Sequence, residues 1–363
     1  MPRASCSMIV KDEAATLAEV LADAAAFCDE LVVADTGSTD GTQRIAAEAG
    51  AVVVEVPWTD DFAAARNASL AACTGDWVVW LDADDRVPPA AQRAFAEVIA
   101  GLGEDVDALV TPYQYGFDPT GERCTFTVQR ERVLRRAAGL RWTGAVHEAV
   151  DLAAARVREV PELVVEHRRT AEQAARDQGR NLRILDGLYG RGDRTPRTLF
   201  YRANELRDHA RHAEAVAAYD EALATEQPEW ERYYSLLSQA ESLLALERCS
   251  EAAQAALAAV QLDPGRPEAW VAAGKAYYQR KLWAEAVPFF QAATTANRRP
   301  ATGFSRETDY QWVPWDFLAV CLGNSGRAEE ALRAGAVALR GNPDPERVRG
   351  NLSWFVETLP AAG

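Results

Sequence analysis

The stretch Gly75-Asp76-Trp77-Val78-Val79-Trp80-Leu81-Asp82-Ala83-Asp84-Asp85 decides how the first half of the chain is read. Its apolar core, Trp77 to Leu81, has the length of a strand and falls far short of the roughly 20 residues that cross a bilayer. Three acids crowd the four positions that follow and repel one another, which stability alone does not favour. A hard divalent cation bridging to phosphate oxygens resolves that repulsion. A helix-capping acid ahead of Pro88-Pro89 accounts for Asp85 but not for all three. An EF-hand is excluded, because Arg86 stands at the next alternate position and the glycine of that loop is missing.

Three short β-branched-rich runs precede this strand: Ser7-Met8-Ile9-Val10, Leu31-Val32-Val33-Ala34 and Val52-Val53-Val54. Helical stretches such as Ala14 to Phe27 and Gln43 to Ala49 lie between them. The alternation predicts an α/β domain, a parallel sheet with crossover helices. Polar residues follow the first, second and fourth runs at once: Lys11-Asp12-Glu13, Asp35-Thr36-Gly37-Ser38 and Asp82-Ala83-Asp84-Asp85. Ligands of open α/β sheets bind beyond the carboxyl ends of the strands, so the three loops are expected to share one crevice. In the second loop Ser38 or Thr39 can cap the next helix, and Gly37 permits close approach. Asp35 is a candidate acceptor for a base N–H or a ribose hydroxyl. Arg66-Asn67, after Trp58 and Asp60-Asp61-Phe62, offers a cation near the same crevice.

From Asp107 to His167 the pattern turns extended and aromatic and is read as the far edge of the same sheet with irregular loops. A charged helix follows, from about Thr170 to Leu188, and Gly187 to Pro196 reads as a linker. The remainder is alanine-rich and repeats. Trp270, Ala273-Gly274, Tyr277, Ala286, Phe290 and Ala293 follow the tetratricopeptide pattern. The small–aromatic ladder recurs around Ala203/Ala215/Tyr219/Ala222, Ala240/Ala252/Ala256/Ala259 and Trp315/Ala319/Ala331/Ala338. Successive spacings from Ala215 to Ala252, Ala286 and Ala331 are 37, 34 and 45 residues. Four helical pairs in a curved array are expected, with Arg298 to Tyr310 as a loop between repeats. The domains are therefore 1–170, a helical linker 171–195, and the repeats 196–363. Trp312 and Trp315, beside the long loop, are candidates for an interaction surface, with packing the alternative for both and the better reading of Trp315.

Composition narrows the function. A chain of 363 residues exceeds one small core, and 48% hydrophobic with 26% charged residues is globular. The net charge of −15 argues against a nucleic-acid binder. No apolar run spans a membrane, and Lys11, Asp12 and Glu13 interrupt the first apolar stretch where a signal peptide would continue, so a soluble cytoplasmic protein is expected. The six cysteines are scattered without a C-x-x-C pair and are expected as reduced thiols. No G-x-G-x-x-G follows a strand, which excludes a dinucleotide-binding oxidoreductase. The acids after the first strand would repel a nucleotidyltransferase's triphosphate. The clustering of the acids also disfavours a hydrolase with separated carboxylates.

The ordered set Ile9 to Glu13, Val32 to Thr42, Ala63 to Asn67 and Gly75 to Asp85 resembles family-2 glycosyltransferases of the GT-A fold, with Asp82-Ala83-Asp84 as the DXD motif. Pro57-Trp58 and Asp61-Phe62 before Arg66-Asn67, a His-Glu pair and a tetratricopeptide tail resemble its repeat-bearing bacterial branch, which includes the sublancin-type S-glycosyltransferases. The resemblance covers about residues 4 to 170. It implies inverting, hexosyl-type transfer from a nucleotide-sugar, often a UDP-sugar, with Mg2+ or Mn2+, to a peptide, protein or saccharide acceptor. By motif, Asp35 in the turn with Ser38 would bind the base, Glu13 would lie near the ribose, and Arg66 would approach the nucleotide or its phosphates. Asp82 would contact the ribose or the metal, and Asp84 would hold the metal. A late histidine would add a ligand: His167 by position, with His147 as its competitor. Glu148 stands at the acceptor-side acid and is the candidate base, with His147 second; Ala149 follows it where the family's usual form has Asp. A thiol acceptor, partly ionised near neutral pH, needs less help from a base. The competing reading is a non-catalytic repeat protein with a degenerate transferase domain. A homodimer through the helical repeats is a further expectation.

Overall fold

The computed structural model describes residues 2–176, 178–300 and 303–359. The chain forms two compact units: Met1–Phe117 with Thr127–Ile184, and Asp118–Phe126 with Leu185–Gly363. The division near residue 184 falls inside the segment 171–195 read as a linker. The excursion at 118–126 carries no signal in the sequence.

In the first unit, strands β1 (Ala4–Val10), β2 (Glu30–Asp35), β3 (Val52–Glu55) and β4 (Trp77–Asp82) alternate with helices α1 (Leu17–Ala25), α2 (Thr42–Glu48) and α3 (Phe62–Ala72). Parallel pairing sets β1 between β2 and β4, with Val10 opposite Asp35 and Ile9 opposite Asp82. The loops after these three strands therefore leave the sheet side by side. Next come β5 (Asp85–Arg86), α4 (Pro89–Ala100), β6 (Ala108–Phe117), β7 (Cys124–Arg135), the short pair β8 (Trp142–Thr143) and β9 (Ala149–Val150), β10 (Val157–Glu159) and β11 (Val165–His167). The order across the sheet is β3-β2-β1-β4-β7-β6-β11-β5, with β10 on β6. The sheet is mixed: β7 runs antiparallel to β4, and β5 antiparallel to β11, which puts His167 opposite Asp85. One face of the sheet is sealed by α3, whose Ala63 and Leu70 join Val32, Val78, Trp80, Leu134 and Trp142 in a core cluster. The Asp61 carboxylate starts that helix by accepting from the Ala64 N–H at 2.9 Å.

The single charged helix expected at 170–188 is two, α5 (Ala171–Arg176) and α6 (Arg180–Gly190). Gly179 between them sits at φ +78°, a left-handed conformation that ends a helix.

The second unit contains the pairs α7 (Pro196–Asp208)/α8 (His212–Leu223), α9 (Glu229–Ala245)/α10 (Cys249–Leu262), α11 (Pro267–Gln279)/α12 (Trp283–Thr295) and α13 (Val313–Asn324)/α14 (Ala328–Ala338), then α15 (Pro345–Glu357). The repeat is written in the backbone as well as in the alanines. Ala210, Glu247, Lys281 and Gly326, each five residues before Ala215, Ala252, Ala286 and Ala331, all adopt positive φ in the turn within a pair. Those four alanines are fully buried. Gly274 shows why small residues are needed, since a Cβ there would stand 2.7 Å from the Phe290 ring. Trp312 and Trp315 pack partly buried against the repeat core, as the packing alternative expects. In the long insertion, Gly303–Arg306 forms a strand, β12, and Asp309 is buried. No helix among the described residues is long and apolar enough to cross a membrane.

Candidate functional site

The three polar loops converge as the strand order requires. In the β2 loop, one Asp35 oxygen accepts from the backbone N–H groups of Gly37 and Ser38 and from Gln43 Nε2, each at 2.9 Å. Burial pushes this carboxyl up, but these donors, Ser38 and Gln43 foremost, outweigh it and hold it below the usual range. The other oxygen, Oδ2, is buried with no hydrogen-bond partner. Ser38 accepts from the Asp12 N–H at 2.9 Å instead of capping α2. Asp40 accepts from the Thr42 N–H at 3.0 Å at the start of that helix. Glu13 accepts from Gln173 Nε2 at 2.6 Å and pairs with Arg176. Burial raises the Glu13 carboxyl, and these two donors offset it only in part.

At the end of β4 the three acids have separate fates. Asp82 pairs with Arg66 Nη2 at 2.7 Å, and Arg66 Nε donates to Glu148. Arg66 and Glu148 are both buried, and the guanidinium lies over the Trp80 and Trp142 rings at 4.5 and 5.1 Å. Asn67 clamps the backbone of Trp142 by donating to its carbonyl and accepting from its N–H. Burial works against the charge of Asp82, yet Arg66 and then Arg132 prevail and bring it down to about 2. Glu148 is likewise lowered: burial opposes ionisation and Arg66 overcomes it. Arg66 is thus spent on two carboxylates inside the protein, a correction to its expected approach to a nucleotide.

Asp85 is fully buried and accepts from Arg132 Nη1 at 2.9 Å, the Asp82 N–H at 2.9 Å and the Tyr113 hydroxyl at 2.7 Å. Asp84 remains, with its Oδ1 3.5 Å from Nδ1 of His167. Ligand atoms of Asp84, Asp85 and His167 lie within 4.8 Å of one another, a spacing that can hold a metal ion. Asp82, expected among the ligands, stands outside that group. Burial disfavours the His167 imidazolium, but Asp84 and Asp85 outweigh it and raise the ring to about 9. Tyr115 stacks on the ring at 4.6 Å. His147 is not in the cluster; it adopts φ +52° beside Glu148. Asp12, Asp60 and His147 are the non-glycine residues of this unit with positive φ among those described, and the sequence had placed all three in its polar site motifs.

Residues 5–161 match the family described as glycosyl transferase family 2. The first unit is a family-2 glycosyltransferase domain. Its mixed sheet with flanking helices is the arrangement the resemblance implied. The chain is 37% identical over 164 residues to a TPR repeat-containing protein of Synechococcus elongatus, covering 42% of this chain and 36% of that one. It is 28% identical over 151 residues to the prophage-derived glycosyltransferase SunS of Bacillus subtilis, covering 40% and 34%. The chain thus spans little over a third of the length of these curated relatives. Among solved structures, YrrB, a TPR protein with an unusual peptide-binding site, is similar over 48% of this chain and 82% of its own, at 18% identity and a TM-score of 0.38.

The sequence names Asp85 only as one of three crowded acids, and it gives no signal for Arg132, Tyr113, Gln173 and Arg176 around the glycosyltransferase domain's polar loops. Tyr113 is one aromatic among several in the extended stretch from Asp107 to His167, and Arg132 lies in a charged run without a motif.

Proposed function

We propose that the protein is an inverting glycosyltransferase that moves a sugar from a nucleoside-diphosphate sugar, with Mg2+ or Mn2+, to a peptide, protein or saccharide. The convergence of Asp84 and His167 at the end of β4, beside the Asp35 turn, carries this reading. A divalent cation there supplies charge stabilisation for the departing diphosphate. Asp84 and His167 would hold the cation, carboxylate oxygen and imidazole nitrogen being suitable donors. Asp35, with one oxygen fixed by its own turn, offers buried Oδ2 to a base N–H such as the N3–H of uracil.

For the acceptor side the assignment moves from Glu148 to His147. A base must be accessible and moderately basic, whereas Glu148 is buried, paired with Arg66 and held below the usual carboxyl range. His147 follows Gly144 (φ +93°) in the turn Thr143–Glu148 and itself sits at φ +52°; such conformations concentrate at functional sites. We assign the repeats to holding the acceptor or a second copy of the chain, and a monomeric mass by light scattering removes the second. The test of the reading is nucleotide release from a panel of UDP-, GDP- and CDP-sugars with Mn2+. One donor turned over by wild type and not by Asp84→Asn supports it. No turnover of any donor by folded protein, alone or with peptide and saccharide acceptors, contradicts it.

A further inference from the structure

The acidic strand end is less crowded with charge than its sequence suggests, and the way it is relieved separates the three acids by role. Asp82 and Asp85 each own a buried arginine, Arg66 at 2.7 Å and Arg132 at 2.9 Å. Arg132 is fully buried, sandwiched 3.7 Å from the Trp80 ring and 4.0 Å from the Tyr113 ring, and its Nη1 also donates to the Trp80 carbonyl at 3.2 Å. Both Asp85 oxygens are engaged: Oδ2 by Arg132 and the Asp82 N–H, Oδ1 by the Tyr113 hydroxyl. The same hydroxyl lies 2.7 Å from Nδ1 of His167. Given to the Asp85 carboxylate, the phenol's one proton leaves a lone pair that accepts from Nδ1–H, and this contact holds the ring whose Nδ1 stands 3.5 Å from Asp84 Oδ1.

We propose that Asp85 is not a cation ligand but the strut that positions the two side chains that are, Asp84 through the strand-end turn and His167 through Tyr113. This rests on the cation reading given above. Outer partners of this kind fix the orientation of metal-binding side chains, and their loss typically costs about 10- to 100-fold in metal affinity. Tyr113 and Asp85 are positioning residues, and Arg132 balances the buried charge that makes the strut possible.

The experiment binds Mn2+ to the full chain in the presence of UDP or GDP and counts the waters on the bound ion by pulsed electron paramagnetic resonance in D2O. Removing a direct ligand admits one more water; removing a strut does not. Asp84→Ala, which removes the donor oxygen altogether, is expected to add a water. Tyr113→Phe, which keeps the Arg132–Asp85 pair and so preserves the fold, is expected to weaken Mn2+ about tenfold at the wild-type water count. Asp85→Asn is expected to behave likewise, and the double variant to lose no more than the larger single loss. An added water in Asp85→Asn, or additive losses in the double variant, overturns the assignment while leaving the cation reading intact. Absence of Mn2+ binding by wild type removes the cation reading and this assignment with it.

Discussion

Replacing Arg66 by Met tests whether the interior of the transferase domain is built around one guanidinium. The side chain length is kept, but Asp82 and Glu148 lose the charge they share. Removing one partner from a buried ion pair costs about 3–5 kcal/mol, because the other is left buried and uncompensated. The lowering of the Asp82 carboxyl, to which Arg132 also contributes, is of the same order. The drop from 3.8 to about 2 corresponds to about 2 kcal/mol at 1.36 kcal/mol per unit, before any contribution from Glu148. At about 2–4 °C per kcal/mol for a unit of this size, melting of the domain should fall by about 10 °C. The sign with pH follows from linkage. A carboxylate whose folded value is depressed stabilises the fold above its unfolded value and loses that contribution as pH falls toward about 2. The gap between wild type and Arg66→Met is therefore full at pH 7 and narrows below about pH 4. Calorimetry of the full chain across pH measures it, with Arg66→Met/Glu148→Gln as the control that removes one orphaned charge and recovers part of the loss. A melting change under 2 °C at pH 7, or a double variant worse than the single, would refute the reasoning.

Other outcomes follow from single contacts. Asp309→Asn should stabilise the repeats by up to about 3 kcal/mol at pH 8, since burial raises this acid from 3.8 to about 6 despite Arg306. A raised acid loses stability as pH rises through that window, so the gain should vanish below pH 4; denaturant unfolding at the two pH values checks it. Gly274→Ala should cost about 1–3 kcal/mol, because its Cβ would meet the Phe290 ring at 2.7 Å; urea midpoints report it. His147→Gln should lower kcat by about 100-fold or more with donor binding unchanged, while Glu148→Gln should act mainly on stability. Steady-state kinetics beside thermal melts separates the two.

The parts of the molecule legible from sequence are those whose signal is local. Runs such as Trp77 to Leu81 announce strands, and polar residues directly after them announce the loops that end side by side. The alanine ladder likewise announces paired helices. What sequence hides is pairing across distance. The acids at 82, 84 and 85 read as mutually repelling because the arginines that answer two of them lie 16 residues before Asp82 and 47 after Asp85. Glu148 reads as a candidate base because nothing local reveals that Arg66, 82 residues away, is bonded to it. The helix break at Gly179 had a local signal that the charged pattern on either side outweighed.

The central claim is a donor site whose cation depends on Asp84. Calorimetric titration of UDP, GDP and CDP, with and without Mn2+, on wild type and Asp84→Asn tests it most directly. The account predicts that one nucleotide binds only with Mn2+ and that the variant loses this binding while keeping its melting temperature. Binding that ignores Mn2+, or that survives intact in Asp84→Asn, contradicts it.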